Sequence, residues 1–235
     1  MELFWIDEGH PFPSSENTQP NGLLCAGGNL EPATLITAYS HGIFPWYSAD
    51  EPILWWSPDP RMVLFPGEFK TSHSLQRTIR QQRFEIRIDS AFADVITACA
   101  APRTPEGGTW IVPEMVQAYT HLHQLGIAHS VESWIVDKAG DKMVGGLYGV
   151  ALGRVFYGES MFSRVTDASK VALVALVKKL QADGFELIDC QQQTQHLASF
   201  GARPIPRREF TQRLQELIIS NPATVPLSAW RPAQS

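Results

Sequence analysis

The clearest pattern of apolar and polar positions lies at the centre of the chain. Two apolar, β-prone runs at residues 143–151 and 155–161 are separated by the tripeptide 152–154, Leu-Gly-Arg. Runs of this length around a short glycine-containing segment are typical of a hairpin with a tight turn. The sequence therefore predicts two antiparallel strands here.

The pattern changes period directly after the hairpin. Thr166 or Asp167 can cap a helix, and the apolar residues that follow recur three or four positions apart until Gly184, which can end a helix in the left-handed conformation. Residues 185–190 then form a short apolar run that contains Asp189 near its end, as a buried strand would. The predicted order at the centre is hairpin, helix and strand, with polar groups gathered where the strands end.

Composition and apolar patterning divide the chain into two parts. Residues 1–61 are rich in proline, glycine and aromatic side chains and predict a small, loop-rich N-terminal domain. Residues 62–235 predict a larger α+β domain. Its other predicted elements are strand 62–65, helix 72–83, strand 84–88, helices 92–99 and 113–125, strand 130–137, a short helix ending at residue 200, strand 202–205 and helix 209–219.

Composition supports a folded protein but does not name a partner. Apolar residues make up 44% of the 235 positions and charged residues only 18%, while 19 Lys and Arg against 24 Asp and Glu give a net charge of −5. Bulk charge thus gives no reason to expect a nucleic acid. Two segments are locally basic: residues 70–87 contain five basic residues and one acid, Glu85, and residues 203–213 contain four arginines and one acid, Glu209. A solvated basic face is the simpler interpretation of both.

Cysteine usage and the termini predict a reduced, cytoplasmic protein. Cys25, Cys99 and Cys190 show neither a CxxC spacing nor a disulfide framework. The N-terminus is acidic, and no apolar run approaches the length that crosses a bilayer, so we expect no signal peptide and no membrane segment.

Three polar residues near the predicted strand ends are candidates for chemistry. Glu159 lies among apolar residues and needs a partner, which could be internal, such as Arg164 or Lys170. Asp189 and Gln191 are two positions apart, so both side chains share one face if the strand extends that far. From the residues alone, Asp189 could equally be a capping or turn acid and Gln191 one of three exposed glutamines.

Histidines and tryptophans supply further candidates. His121 and His123 point to different faces of a helix, and no cysteine or carboxylate completes a ligand set with them, so we predict no metal site. Among the tryptophans of residues 42–61, Trp55 and Trp56 are predicted as core residues. Trp46 is predicted to stack on a base or an aminoacyl group.

The order of elements suggests a fold of the acetyltransferase (GNAT-like) type. Enzymes of that type that bind acetyl-CoA need a glycine-rich turn between the hairpin and the following helix, whose backbone N–H groups hold a pyrophosphate. Residues 162–167 occupy that turn here and contain no glycine. The fold is therefore expected without the CoA cofactor.

Eight segments, in order, resemble one family. They are PNGLLCAGG, GIFPWYS, ILWWSPDPR, GTWI, VGGLYGVALGRVFYGESMFSR, ASKVAL, LIDCQ, and HLASFGA followed by IPR. The sequence resembles the leucyl/phenylalanyl-tRNA–protein transferases, bacterial enzymes of the N-end rule pathway, from Pro20 to Arg208.

The resemblance implies an activity and its partners. Members of this family transfer Leu, Phe or Met from aminoacyl-tRNA to the α-amino group of proteins that begin with Arg or Lys, and so mark them for degradation. They use neither a metal nor CoA, and a small N-terminal domain precedes their acetyltransferase-like catalytic domain. We further expect a monomer.

The resemblance also implies roles for individual residues. Asp189 accepts the proton of the attacking amine, directly or through Gln191, and Gln191 also orients the ester carbonyl. Glu159 binds the cationic acceptor residue. The remaining implied contacts are an apolar pocket of Phe156, Met161, Leu147 and Leu176, stacking of Trp46 and Trp110 on the terminal adenosine of tRNA, and binding of the tRNA backbone by Arg77, Arg80 and Arg83.

Phe156 and Met161 differ in parity along one predicted strand. They can share a pocket only if the strand has a bulge near Gly158.

Two other functions are also compatible with the sequence, an acyl-CoA N-acyltransferase and a non-catalytic RNA-binding module.

Overall fold

A computed structural model describes residues 3–101 and 109–219, and over these ranges the chain is an α+β protein with two sheets. The first sheet has four short strands in the order β1-β2-β4-β3. They are β1 (Phe4–Ile6), β2 (Leu23–Gly27), β3 (Phe44–Pro45) and β4 (Leu54–Trp56), with helix α1 (Pro32–Ser40) between β2 and β3 in the chain. The sequence predicted loops here rather than strands, because runs of two to five residues interrupted by proline carry little alternation.

The second sheet has seven strands in the order β11-β5-β10-β9-β8-β7-β6. Its strands are β5 (Arg61–Leu64), β6 (Glu85–Ile88), β7 (Ala128–Ile135), β8 (Lys142–Leu152), β9 (Val155–Ser163), β10 (Leu187–Gln191) and β11 (Arg203–Ile205). Of the strand pairs in this sheet, β9 with β10 is parallel and the others are antiparallel. The helices are α2 (His73–Arg80), α3 (Phe92–Ala100), α4 (Pro113–Gln124), α5 (Ala168–Ala182), α6 (Gln195–Ala198) and α7 (Arg207–Leu214), the last continuing as a π-helical turn, Gln215–Ile219.

The predicted centre of the chain is confirmed. Strands β8 and β9 form the hairpin, with Gly153 at φ 54° in the turn, and Gly184 follows α5 at φ 77°. Asp167 is the residue before α5, but its carboxylate makes no capping bond. It accepts hydrogen bonds from Thr78 and Lys170 instead, and so connects α5 to α2.

The basic helix is shorter than the sequence predicted. Ser72 caps it by accepting a hydrogen bond from the N–H of Leu75, and the helix ends at Arg80. Gln82 then takes a left-handed φ of 48°, so Arg83 lies beyond the helix rather than on it. The three-residue spacing of Arg77, Arg80 and Arg83 continues past the true end and concealed this boundary.

Apolar side chains pack on both faces of the seven-stranded sheet. On one face, Met62, Leu64 and Phe156 pack with α5. The opposite face packs against α3, α4 and the four-stranded sheet in a single cluster that includes Tyr39 and Tyr157. Strand β5 begins the larger sheet close to the predicted boundary, and the division into domains 1–61 and 62–235 stays a prediction.

No helix within residues 3–101 and 109–219 combines the length and apolarity needed to cross a bilayer.

Candidate functional site

The site lies where β9 and β10 stop pairing, and a bulge on β9 shapes it. Glu159 is skipped in the pairing of β9 with β8, so this strand holds one extra residue at that point. The bulge reverses the alternation of side chains beyond it. As a result Phe156 and Met161 both line one cavity, which confirms the bulge that their parity required near Gly158.

A second bulge lies opposite, at the end of β10. Cys190 is skipped in the pairing of β10 with β5, and Gln191 has a left-handed φ of 59°. The regular alternation expected of Asp189 and Gln191 therefore does not hold. Gln191 lines the cavity and Asp189 does not.

The cavity has a volume of about 400 Å³, within the usual range for sites that bind small molecules. The structure brings all four residues of the expected apolar pocket to its wall: Leu147, Phe156, Met161 and Leu176. Further apolar residues that were not predicted also line the cavity, among them Leu64, Leu173 and Ile188.

Two tryptophans expected at the tRNA end also line the cavity. Trp46 is 37% exposed and Trp110 is half-buried. The carbonyl of Trp46 accepts a 2.6 Å hydrogen bond from Nε1 of Trp56, and the two rings meet edge to face. Trp46 is thus an exposed aromatic surface held in place by its neighbour.

Glu159 is the carboxylate of the cavity, and three side chains donate hydrogen bonds to it. Its Oε1 accepts from Oη of Tyr39 at 2.8 Å and from Nε2 of Gln191 at 3.0 Å, and its Oε2 accepts from Oη of Tyr119 at 3.2 Å. The residue is 8% exposed. Burial raises the pKa of Glu159 to about 7, while the bond from Tyr39 acts in the opposite direction.

The alternative prediction, that Glu159 forms an internal ion pair with Arg164 or Lys170, is wrong. Arg164 donates to the carbonyl of Met143, and Lys170 pairs with Asp167. Both cations are held near the start of α5 by these other partners.

Asp189 does not line the cavity and is buried in an ion pair with Arg61. Nε and Nη2 of Arg61 donate to the two carboxylate oxygens at 2.8 and 2.6 Å, and neither side chain has exposed surface. Nη1 of Arg61 donates to the carbonyl of Gly42 at 3.0 Å. Oδ1 of Asp189 also accepts a 2.9 Å bond from the N–H of Gln191, which is its link to the cavity.

The three arginines expected to meet RNA are exposed but lie outside the cavity. Arg77 and Arg80 are on α2, and Arg83 follows it. The bond from Thr78 to Asp167 holds α2 against the start of α5. Helix α2, which carries Arg77 and Arg80, therefore lies against α5.

The N-terminus of α5 packs closely against β8. A Cβ added to Gly145 of β8 would lie 2.8 Å from the backbone nitrogen of Ser169 and 2.6 Å from Cβ of Ala168. Gly145 thus lies against the N–H of Ser169, and Asp167 places a negative charge at the same end of the helix, which disfavours an anion there.

Histidines do not gather into a metal site in the part of the chain that the structure describes, where no group of three or more potential ligands occurs. His123 contacts the carbonyl of Ala128, and His129 contacts Asp89.

Sequence reasoning missed Tyr39, Tyr119 and Arg61. Tyr119 lies on α4 at core spacing from Met115 and Leu122, so its pattern indicated packing alone. Arg61 ends the segment ILWWSPDPR, and its complete burial could not be read from that position. Pairing over such sequence distances leaves no local signal.

Comparison with known proteins shows which family the chain resembles. The family model described as leucyl/phenylalanyl-tRNA protein transferase matches residues 63–215, and the model of its N-terminal domain matches residues 28–59. The leucyl/phenylalanyl-tRNA–protein transferase of Nitrosospira multiformis is 59% identical over 216 residues, covering 91% of each chain. That of Aromatoleum aromaticum is 61% identical over 208 residues, covering 88% of this chain and 86% of its own.

A solved structure described as L-PGS from Bacillus licheniformis is 11% identical and covers 82% of this chain and 65% of its own, with a TM-score of 0.37. A likeness at this level does not identify a fold. The two family models together match most of the chain, and the two relatives are 59% and 61% identical to it. The chain belongs to the leucyl/phenylalanyl-tRNA–protein transferase family.

Proposed function

We propose that this protein transfers Leu, Phe and Met from aminoacyl-tRNA to the α-amino group of proteins that begin with Arg or Lys, forming a peptide bond and marking those proteins for degradation. The observation that carries the proposal is one cavity with an apolar wall at one side and the carboxylate of Glu159 at the other. An apolar donor side chain and a cationic acceptor can therefore meet in it.

The donor occupies the apolar wall. Phe156, Leu147 and Leu176 are fully or almost fully buried, so a side chain entering between them exchanges water for apolar contacts. The walls reject charged side chains by desolvation and β-branched ones by shape. Trp46 and Trp110 stack on the terminal adenosine, which orients the ester that links the amino acid to tRNA.

The acceptor approaches from the polar side. Glu159 pairs with the cationic side chain of the N-terminal Arg or Lys, and the α-amine then faces Gln191. Nε2 of Gln191 is held by Glu159, which leaves its Oε1 available to accept a hydrogen bond from that amine. The acceptor residue is thus fixed at two points.

The reaction needs little more than this placement. An aminoacyl ester is already activated, and an α-amine with a reference pKa of about 7.7–8.0 is partly neutral at pH 7. Its nitrogen forms a bond to the ester carbon, the bond to the tRNA oxygen breaks, and the amine's proton balances the charge on that oxygen. Asp189 acts through Gln191 rather than directly, since it has no exposed surface and holds the Gln191 N–H.

The proposal includes the acetyltransferase-like fold of residues 62–235 behind a small N-terminal domain. Its support is the parallel pair β9 and β10, connected by α5, with the cavity at the point where the two strands part. The protein acts as a monomer in the cytoplasm, where aminoacyl-tRNA is made. Arg77, Arg80 and Arg83 hold the tRNA backbone without reading its sequence.

A direct assay tests the proposal. Purified protein is mixed with radiolabelled Phe-tRNA and a peptide with N-terminal Arg, and label should pass to the peptide. The same peptide with an acetylated α-amine is the control for the acceptor, and acetyl-CoA is the control for the donor. Retention of label on tRNA that the protein still binds would favour an RNA-binding module and would overturn the enzyme proposal.

A further inference from the structure

Glu159, Tyr39 and Tyr119 form a closed triangle of oxygen atoms. Oη of Tyr39 and Oη of Tyr119 lie 2.5 Å apart, and each also contacts one oxygen of Glu159, at 2.8 and 3.2 Å. The tyrosines come from α1 and α4, and both are fully buried. No water molecule is needed to explain any of the three contacts.

The number of protons in this triangle is the informative feature. Three hydrogen bonds require three protons, and two phenols supply only two, because each hydroxyl donates once. Burial and the nearby carboxylate raise the pKa of Tyr39 and Tyr119 well above the ordinary value, so both keep their protons. The third proton belongs on Glu159. Each of the three groups then donates once and accepts once around a ring, in which the Glu159 O–H donates to one of the two phenols, whereas both phenols donate to the carboxylate when Glu159 is ionised.

The surroundings of Glu159 agree with a neutral carboxyl group. Burial is the main factor that raises its pKa, and the charges of Asp189 and Arg61 act in opposite directions on it. Those two charges also neutralise each other in their own ion pair. The ionisable groups that face Glu159 from the packed elements are Tyr39 of α1, Tyr119 of α4, Tyr148 of β8, Tyr157 of β9, Asp189 of β10 and Arg61 of β5.

We propose that Glu159 is protonated in the empty site and loses this proton when a cationic N-terminal side chain binds, and that Tyr39 and Tyr119 are specificity-determining residues that set the pH at which the proton leaves. The inference rests on the proposed function, in which Glu159 receives that side chain. In the empty enzyme the ring satisfies the buried carboxyl group without a counterion. A guanidinium or ammonium group replaces the lost proton as the positive partner, and an uncharged side chain cannot.

Binding of the acceptor therefore depends on pH in a defined direction. The form that binds a cation is the ionised one, which is scarce below the pKa of Glu159 and predominant above it. Affinity for the cation rises with pH and levels off above pH 8. With a pKa of about 7, binding at pH 8 should be about tenfold tighter than at pH 6.

The probe must not titrate in this range itself. A short peptide that begins with a 5-guanidinopentanoyl group keeps the arginine guanidinium but has no α-amine, so it neither ionises near pH 7 nor accepts an amino acid. Its inhibition constant is measured against transfer to an ordinary N-terminal Arg peptide between pH 6 and pH 8.5. Calorimetry in two buffers with different ionisation enthalpies counts the protons released. The uncharged 5-ureidopentanoyl peptide is the matched control.

Two variants assign the effect to the tyrosines. Tyr39→Phe and Tyr119→Phe each remove a donor that stabilises the carboxylate, so the midpoint of the pH profile should rise by about one pH unit. Tyr157→Phe is the control, because its hydroxyl donates to the backbone carbonyl of Tyr39 and does not touch Glu159. It should leave the midpoint in place even if it lowers stability.

The expected result is release of about one proton at pH 6 with the guanidino probe and none with the ureido peptide. Binding without proton release, or a probe that fails to inhibit at any pH while transfer to the Arg peptide continues, would overturn the inference and leave the proposed function standing. Unchanged midpoints in both tyrosine variants would show that the two phenols do not control the ionisation of Glu159. Absence of transfer to the Arg peptide itself would instead count against the proposed function.

Discussion

Asp189 and Arg61 form a two-pronged ion pair without exposed surface, although they are 128 positions apart in the chain. The rings of Phe44 and Phe210 each lie 4.7 Å from Cζ of Arg61. Because Asp189 also accepts the N–H of Gln191, the pair fixes the backbone of a residue that lines the cavity. A buried charge pair that touches the site in this way links stability to function.

Asp189→Asn should therefore reduce stability as well as activity. The substitution keeps the shape and one oxygen acceptor but leaves the guanidinium of Arg61 buried without a counterion, and breaking such a pair costs about 3–5 kcal/mol. Unfolding in urea measures the loss. A turnover number that falls at a temperature where the variant is still folded, with an unchanged KM for aminoacyl-tRNA, would show that the pair also positions Gln191. An unfolding free energy equal to that of the wild type would contradict the prediction.

Gln191→Asn should distinguish the role of the Gln191 side-chain amide from the role of its left-handed backbone. Asparagine adopts a left-handed φ readily, so the variant should be as stable as the wild type. Its amide is one methylene shorter and cannot reach Glu159, which Gln191 contacts at 3.0 Å. We expect turnover to fall about tenfold or more, the usual range for a misplaced reacting group. Gln193→Asn, on an exposed residue outside the cavity, is the matched control and should have no effect.

Two glycines of the hairpin should respond differently to alanine. A Cβ on Gly149 would lie 2.2 Å from the carbonyl oxygen of Tyr157 and 2.5 Å from the ring of Phe156, whereas a Cβ on Gly158 would meet nothing closer than 3.6 Å. Gly149→Ala should thus displace Phe156 and lower the unfolding free energy by about 1–3 kcal/mol or more. Gly158→Ala should change it by less than about 0.5 kcal/mol. Thermal denaturation of the two variants side by side checks both values, and equal midpoints would refute the argument.

The sequence predicted what local patterns encode. The hairpin, α5 and the end of α5 at Gly184 follow from alternation, helical spacing and a glycine signal, each within about 20 residues. The bulge on β9 was inferred from the family resemblance, which assigns Phe156 and Met161 to one pocket although they differ in parity along the strand.

Long-range partners could not be predicted from these patterns. Tyr39 and Glu159 are 120 positions apart, and their contact depends on how α1 packs against the seven-stranded sheet. The left-handed backbone of Gln191 is similarly imposed by the bulge that β5 pairing creates at Cys190. The sequence therefore indicated the residues at the cavity better than the residues that hold them in place.

The apolar wall should set the choice of donor amino acid. Leu176 is 2% exposed and lines the cavity, so Leu176→Phe fills part of the space a donor side chain would enter. We expect kcat/KM for Phe-tRNA to fall about tenfold or more relative to that for Leu-tRNA, since a misfit of this size in an apolar pocket costs about 1–3 kcal/mol. Competition between the two charged tRNAs in one reaction measures the ratio directly. An equal fall for both donors would show that Leu176 is a packing residue only.

The exposed arginines should act on tRNA through charge alone. Phosphate contacts by Lys and Arg release counterions, so the logarithm of affinity falls linearly with the logarithm of salt concentration. Arg77→Gln and Arg80→Gln should each raise KM for aminoacyl-tRNA and reduce the salt slope by about 1, while the turnover number at saturation is unchanged. Arg213→Gln is the matched control, because this partly exposed arginine on α7 is already paired with Glu209. A salt slope that stays the same in both α2 variants, with KM raised equally at all salt concentrations, would show that these residues support the fold of α2 rather than contact the phosphates.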